Sequence, residues 1–390
     1  MKRFQGLDFL ELEGELSEEE RMVRDAVRSF VDERILPLIG KCYEDGRFPS
    51  ELVPEMASLG LFGPTVPEEY GGQGLGSVAY GVMCRELERG DSGIRSMASV
   101  QGSLVMFPIL EYGSEEQKKR WLPKLAKGEA IGCFGLTEPD AGSNPGGMLS
   151  RCKKDGTGWV LNGRKMWITN GTVSDVSIVW AKDDAGVVRG FLVEKGTKGF
   201  TAPETKGKWS LRASVTSELV LDDVRVPDSH RLPKAEGLKA PLSCLTQARY
   251  GIAWGAVGAA MACFEEALNY SKDRIVFNKP LAGFQIPQMK LADMATDITL
   301  GQLMSLKIGR LKELGRLSHF QVSMAKRNNV SMALRISRVC RDMLGANGIL
   351  LEYHSGRHMC NLETVYTYEG THDIHSLAIG EAVTGLPAYR

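Results

Sequence analysis

Near the C-terminus, Tyr366-Thr367-Tyr368-Glu369-Gly370-Thr371-His372-Asp373-Ile374-His375 sets one carboxylate between an aromatic residue and a glycine. A carboxylate so placed is a candidate general base; its plain alternative is a solvated loop acid. A second segment, Cys133-Phe134-Gly135-Leu136-Thr137-Glu138-Pro139-Asp140-Ala141-Gly142-Ser143, offers glycines, hydroxyls and backbone N–H groups to a polar planar ligand, although Thr-Glu-Pro is also a common turn. A third, Trp167-Ile168-Thr169-Asn170-Gly171, reads as an aromatic strand ending beside a turn. Other chemistries lack their signatures. There is no Gly-x-x-x-x-Gly-Lys-Ser/Thr, and Gly71, Gly72, Gly74 and Gly76 do not follow a strand, so an ordinary dinucleotide fold is not supported. No Gly-x-Ser-x-Gly elbow is present for a serine hydrolase. His354 and His358 lie one helical turn apart, but no Glu follows the first in zincin fashion, and no metal site is expected.

The elements that must carry these segments come in three textures. Residues 17–125 read helical: Ser17 with Glu20 is a capping box, Val23, Val27, Phe30 and Val31 recur at helical spacing, and Pro37 should close the run. Ser114 with Gln117 should open another helix carrying Trp121, Leu122 and Leu125. From about 126 to 235 the period is two. Asn162-Gly163 between Trp159-Val160-Leu161 and Met166-Trp167-Ile168 predicts a hairpin turn, and 177–180, 187–193 and 219–226 predict strands, the last stopped by Pro227. Beyond 236 the pattern is helical again, with Ile286, Met289, Leu291, Met294, Ile298, Met304 and Ile308 on one stripe, as in an antiparallel bundle.

The chain has 390 residues, with 48 basic and 48 acidic side chains, so it lacks the electrostatic footprint of a nucleic-acid binder. No apolar stretch is long enough to span a membrane, and Met-Lys-Arg-Phe-Gln-Gly-Leu at the start lacks an apolar signal core. Eight cysteines without a Cys-x-x-Cys pair read as buried thiols in a reducing compartment. A cytoplasmic protein is expected.

Together and in this order, the segments resemble the acyl-CoA dehydrogenase family of flavoenzymes over nearly the whole chain. The motifs are Pro-Glu-Glu-Tyr-Gly-Gly at 67–72, Gly-Leu-Thr-Glu-Pro-Asp-Ala-Gly-Ser at 135–143, Trp-Ile-Thr-Asn at 167–170, Asp273-Arg274 with Phe277, and Tyr-Glu-Gly-Thr at 368–371. The resemblance implies an α+β fold: an N-terminal all-α domain (1–125), a middle β-barrel domain (126–235) and a C-terminal four-helix bundle (236–390). It implies FAD between the β-domain and the bundle, with Phe134, Leu136 and Thr137 along the flavin ring and Trp167 and Thr169 near its N5 edge. Arg274, Phe277 and Gln285 resemble the segment that reaches a neighbouring subunit's FAD. Leu344, Gly345 and Gly348 resemble another cofactor loop, and Thr371 and Asp373 the polar pair after the base. This chain departs from the family at Val276-Phe277-Asn278, where Gln-Phe-Gly is common, and at Asp342, where Gln is common. Some members carry the base on a helix just before an arginine. Here that position is Ala248, before Arg249, which leaves Glu369 as the matching base. Arg249 is then expected to pair with substrate or steady the site, with Ser143 and Gly370 also at the substrate. The implied reaction is α-proton removal by Glu369 with transfer of the β-hydride to flavin N5. The thioester carbonyl is then held by the Glu369 N–H and a ribityl hydroxyl. A CoA thioester substrate, electron-transferring flavoprotein as acceptor and a homotetramer follow from the same resemblance.

The acyl group is suggested by Arg85-Glu86-Leu87-Glu88-Arg89-Gly90-Asp91-Ser92-Gly93-Ile94-Arg95-Ser96, which resembles the glutaryl-CoA dehydrogenase branch, as do 207–214, 248–255, 326–329 and 371–375. In that branch the residues matching Arg95 and Ser96 bind the distal carboxylate, and the acid matching Glu88 manages protons there. Arginine suits the task because its fork meets a carboxylate bidentately. Decarboxylating members carry Tyr immediately before the base, as Tyr368 stands here, and non-decarboxylating relatives carry Val. Oxidation of glutaryl-CoA with loss of CO₂ to give crotonyl-CoA is therefore expected. The alternatives are a substituted succinyl-CoA as substrate, or glutaconyl-CoA as the product.

Overall fold

A computed structural model of the chain describes residues 7–388. The first six residues of the segment read as lacking a signal core lie outside it. Ser17 caps α1 (Glu18–Phe30) as read, accepting from Glu20 N at 3.2 Å while the Glu20 carboxylate accepts from Ser17 N at 2.8 Å. Pro37 does not end the run. A π-helical stretch, Val31–Ile35, leads straight into α2 (Leu36–Asp45), and Pro37 falls in that first turn, where a missing N–H costs nothing. The helices α3 (Val53–Ser58), α4 (Ser77–Gly90), α5 (Ser92–Ser99), α6 (Phe107–Tyr112) and α7 (Glu115–Ala126) follow, the last opened by the Ser114–Gln117 capping box. A second π-helical stretch, Val100–Met106, joins α5 to α6.

Seven strands then form one sheet. They are β1 (Gly132–Gly135), β2 (Arg151–Asp155), β3 (Gly158–Thr169), β4 (Val176–Lys182), β5 (Val188–Glu194), β6 (Phe200–Thr201) and β7 (Thr216–Pro227), in the order β1-β4-β2-β3-β7-β6 with β5 also on β4. Its buried core includes Cys133, Leu161, Ile168, Val179, Phe191 and Leu221. Among the described residues β1, β5 and β6 each pair with a single strand. Asn162-Gly163 is not the expected hairpin turn. The β3 strand runs through it with a bulge between Leu161 and Gly163, and the turn falls earlier, between Asp155 and Gly158. Asn162 is instead clasped to β7: its Nδ2 donates to Asp223 Oδ1 at 2.9 Å and its Oδ1 accepts from Asp223 N at 2.8 Å. Gly163 is required at the bulge because a Cβ there would sit 2.2 Å from Ser150 Oγ.

The C-terminal part holds α8 (Lys239–Asp273), a small hairpin of β8 (Ile275–Val276) and β9 (Lys279–Pro280), then α9 (Gln285–Glu313), α10 (His319–Met343), α11 (His354–Thr367) and α12 (His372–Thr384). Along α9 the expected apolar stripe divides. Met294, Ile298 and Ile308 are buried, whereas Ile286 and Met289, beside the hairpin, are exposed. The α8 helix packs closely on α4. At Gly255 the approach leaves no room for a side chain, because a Cβ would lie 2.0 Å from Glu88 Oε2. The cysteines are unpaired, and all but Cys360 are fully buried. Among the described residues no helix is long and apolar enough to cross a membrane, and no cluster of three or more His, Cys, Asp or Glu could hold a metal ion.

Candidate active site

The site is built on the turn between α11 and α12. Tyr368 caps α11 in an extended conformation, Glu369 and Gly370 follow in the left-handed region (φ 54° and 87°), and the Thr371 hydroxyl caps α12 by accepting from Ile374 N at 3.2 Å. A non-glycine residue at positive φ is costly and persists only when its surroundings hold it. Here every carbonyl of the turn is held. Lys326 Nζ, from α10, donates to Tyr368 O and to Gly370 O, each at 2.7 Å. Arg249 Nε, from α8, donates to Glu369 O at 2.8 Å, and His375 Nε2 lies 3.2 Å from the same oxygen. Gly370 permits this because a Cβ would come within 2.9 Å of His375 Nε2.

The Glu369 side chain is enclosed although the residue is partly exposed as a whole. Its Oε2 is shut off from solvent and has no hydrogen-bond partner among the described residues. Burial pushes the carboxyl above the usual carboxylate range, against the opposing pull of Arg249, Lys326 and Arg95. A raised, unpartnered carboxyl beside an open-chain turn is what a proton-abstracting base requires. Burial pulls the Lys326 ammonium down to about 7 and His375 down to about 3, so the imidazole is neutral.

One residue away stands a buried cation. Arg95, on α5, is 1% exposed, donates from Nε to Glu88 Oε2 at 2.7 Å, and hydrogen-bonds the Tyr368 hydroxyl through Nη2. The Tyr368 hydroxyl also lies 3.3 Å from Ser96 Oγ. Glu88 is fully buried, and its Oε1 has no partner among the described residues. The helix break at Asp91, whose backbone is extended and whose carboxylate caps α5, lets Glu88 and Arg95 face each other across two helices. Thus Glu369, Tyr368, Gly370, Arg249, Arg95, Ser96 and Glu88 come together, with Thr371 and Asp373 at the adjoining start of α12.

The remaining expected residues lie elsewhere. Phe134 and Leu136 are buried in an interior cluster, with Phe134 tilted on Trp180 at 5.9 Å. What this segment can turn to a ligand is its backbone and Thr137. Trp167 is thrown outward by a second bulge in β3, with φ 63° and 58% of its surface exposed, and Thr169 is half-buried beyond it. Ser143 lies in an exposed loop after β1. Arg274 and Phe277 project from the β8–β9 hairpin, Phe277 87% exposed, and Gln285 is exposed at the start of α9. Leu344 and Gly348 are buried and Gly345 exposed around the turn after α10. Large aromatics left in solvent, a basic residue beside one of them and glycines at a helix end fit a planar, phosphate-bearing cofactor that would cover them.

Two groups escaped the sequence reading. Lys326 was read only as part of a motif, although it falls on the buried stripe of α10 with Val322, Ala325, Asn329 and Val330. Lys165 and Glu138 form a buried ion pair at 2.7 Å beneath the Thr-Glu-Pro segment. Glu138 also accepts from Ser150 N at 3.0 Å, and Lys165 Nζ donates to Leu136 O at 3.2 Å, so the pair ties together the strand ends that carry Thr137 and Trp167. Burial pulls Lys165 down to about 8 despite Glu138, while Lys165 helps to hold Glu138 below the usual carboxylate range against its own burial.

Residues 17–129, 133–224 and 235–384 match the acyl-CoA dehydrogenase N-terminal, middle and C-terminal domains respectively. The chain belongs to the acyl-CoA dehydrogenase family. It is an oxidoreductase and a flavoprotein with FAD as cofactor. Within the family it is similar to a glutaryl-CoA dehydrogenase from Mycobacterium smegmatis, whose crystal structure superposes with a TM-score of 0.97 at 54% identity over 99% of this chain and 100% of that one. A structure of a glutaryl-CoA dehydrogenase from the same organism in complex with FADH2 matches with a TM-score of 0.97 at 53% identity, over 98% and 99% of the two chains. The glutaryl-CoA dehydrogenase of Desulfococcus multivorans is 36% identical over 375 residues, covering 93% of this chain and 96% of its own. The human mitochondrial short-chain specific acyl-CoA dehydrogenase is 35% identical over 370 residues, covering 94% and 90%.

Proposed function

We propose that this acyl-CoA dehydrogenase oxidises glutaryl-CoA and decarboxylates it to crotonyl-CoA and CO₂. The observation that carries the reading is Arg95, a cation buried beside the base-bearing turn and linked to Glu88 and the Tyr368 hydroxyl. A pocket for plain fatty acyl chains gains nothing from a buried charge, which is costly unless something pairs with it. Glu88 already takes the Nε edge of Arg95, and a substrate with a carboxylate at the far end of its acyl group would meet the rest of its fork, with Ser96 beside it. The similarity to enzymes named glutaryl-CoA dehydrogenase supports the same choice.

Glu369 removes the α-proton, and the raised carboxyl suits it to hold that proton afterwards. FAD, when bound, takes the β-hydride. The residues that would hold it are Thr137, Trp167, Thr169, Thr371 and Asp373, with Phe134 and Leu136 through their backbone. Arg274, Phe277 and Gln285 would serve at a neighbouring subunit, and Leu344, Gly345 and Gly348 would form another cofactor loop. Once the acyl chain is unsaturated, the γ-carboxylate is activated to leave as CO₂, its bonding electrons passing into the thioester dienolate. The Tyr368 hydroxyl competes for the Arg95 guanidinium and so loosens its hold on the departing group. The proton held on Glu369 is then available to the γ-carbon.

Self-association into a homotetramer accounts for the exposed apolar group formed by Ile275, Phe277, Ile286 and Met289, which would otherwise face water. Electron-transferring flavoprotein is the proposed acceptor and the cytoplasm the proposed location. The test is to mix the holoenzyme with glutaryl-CoA and an artificial electron acceptor and weigh the products. Crotonyl-CoA supports the reading. Glutaconyl-CoA overturns the role given to Tyr368, and unchanged glutaryl-CoA overturns the substrate in favour of another carboxyacyl thioester such as a substituted succinyl-CoA.

A further inference from the structure

The carbonyl and the N–H of one trans peptide point in opposite directions in a common plane. Whatever grips a carbonyl therefore aims the next residue's N–H. Lys326 Nζ grips Tyr368 O and Gly370 O, each at 2.7 Å, and so fixes the peptide planes on both sides of Glu369 and Gly370. Arg249 Nε and His375 Nε2 fix the plane between them. Glu369 and Gly370 both sit at positive φ, a conformation that persists at a non-glycine residue only when its surroundings hold it, and these donors hold the carbonyls of the turn.

We propose that Lys326 is a positioning residue. By holding the Tyr368 carbonyl it aims the Glu369 N–H at the thioester oxygen, and by holding the Gly370 carbonyl it keeps the Glu369 carboxylate over the carbon to be deprotonated. The inference rests on the dehydrogenase chemistry proposed above. Two further observations support it. Lys326 is 1% exposed, far from the surface where a lysine would otherwise be solvated, and among the described residues its ammonium has no carboxylate as a hydrogen-bond partner. A buried ammonium without a carboxylate in hydrogen-bond contact is expensive, and proteins keep one where its hydrogen bonds have a use. The charged and titratable groups around it are Arg249 from α8, Arg95 from α5, Glu88 from α4, Tyr368 and Glu369 on the turn, and His372 and His375 from α12. Hydrogen bonds to two carbonyls need only two N–H donors, so the grip survives in the neutral amine as well as in the ammonium.

The test compares Lys326→Met and Lys326→Gln with the parent holoenzyme, after FAD content and melting temperature have been matched. The first readout is the rate of flavin bleaching by glutaryl-CoA. Bleaching should slow by about 10²-fold in Lys326→Met, the scale on which a misaimed oxyanion donor is felt. The second readout needs no turnover: the affinity for an acyl-CoA thioester relative to the matching thioether, which lacks the carbonyl. The thioester should lose roughly tenfold relative to the thioether, the worth of one hydrogen bond. If Lys326→Met does not fold, Lys326→Leu, which likewise has no donor, is judged by the same two numbers, and Lys326→Gln, which keeps amide donors on a shorter arm, should lose less than either. Bleaching within about twofold of the parent, or equal weakening of thioester and thioether, would overturn the role. A parent enzyme that glutaryl-CoA never bleaches would instead sink the substrate assignment, and the binding ratio would still decide the fate of Lys326.

Discussion

Replacing Arg95 by Ala removes two things at once, and the structure allows them to be separated. The first is the charge-assisted grip on a distal carboxylate, worth about 1.5–3 kcal/mol, or roughly 10- to 150-fold in kcat/KM. The second is the partner of Glu88, which is fully buried and already has one oxygen without a partner among the described residues. Leaving such a charge alone costs about 3–5 kcal/mol of stability. Butyryl-CoA has the same thioester without the far carboxylate, so it feels the general damage and not the lost grip. The quantity to measure is the ratio of kcat/KM for glutaryl-CoA to that for butyryl-CoA, in the parent and in Arg95→Ala. We expect the ratio to fall roughly 10- to 150-fold, within the range set by the lost hydrogen bonds. Adding Glu88→Gln should recover much of the melting temperature without restoring the ratio. Equal losses for both substrates would refute the reasoning, because Arg95 would then be holding the fold and not the acyl end.

Glu369→Gln should abolish flavin bleaching while FAD remains bound, and substantial residual bleaching would remove Glu369 as the base. The same variant should also be more stable near neutral pH. A buried carboxyl with a raised pKa binds more protons folded than unfolded. Its ionisation therefore erodes stability as pH rises from the unfolded value through the folded one, and glutamine has nothing to ionise. A gain in melting temperature over the parent that is no larger at pH 7–8 than at pH 4.5 would contradict the enclosed carboxyl. Tyr368→Val should shift the product from crotonyl-CoA toward glutaconyl-CoA, measured by mass spectrometry, and an unchanged ratio would clear Tyr368 of a part in CO₂ loss. Lys165→Met leaves Glu138 buried and unpaired and should lower the urea unfolding free energy by about 3–5 kcal/mol; an unaltered midpoint would mean that the pair does not anchor the strand ends.

What could be read in the sequence was what short-range chemistry decides. Ser17 with Glu20 and Ser114 with Gln117 close their capping boxes within three residues, so no distant contact can overrule them. Pro37 misled because the π-helical turn just before it lets the helix continue through the proline, and Asn162-Gly163 misled because Asp223 on another strand captures the asparagine. The order of helical, sheet and helical parts was legible from the change of period. The pairing of Arg95 with Tyr368 spans 273 residues, and only the family resemblance pointed to it. Lys326 and Lys165 were missed because a lysine is normally read as surface. For Lys326 the signal was present, a charged residue in phase with Val322, Ala325, Asn329 and Val330 on the inward face of α10.

The buried thiols have a use to the experimenter. Cys42 and Cys84 sit in the core of the first helical part, Cys244 in the core shared with the sheet's outer side, Cys133 and Cys152 inside the sheet, and Cys263 and Cys340 inside the bundle. Burial holds Cys84, Cys152 and Cys244 up at about 12. At pH 8 only about one in 10⁴ of each is the reactive thiolate. A thiol reagent can therefore reach these positions at a useful rate only when the surrounding core opens. Each core carries its own natural timer, and following which cysteines are modified together would show whether the helical parts and the sheet breathe as one body or come apart in turn.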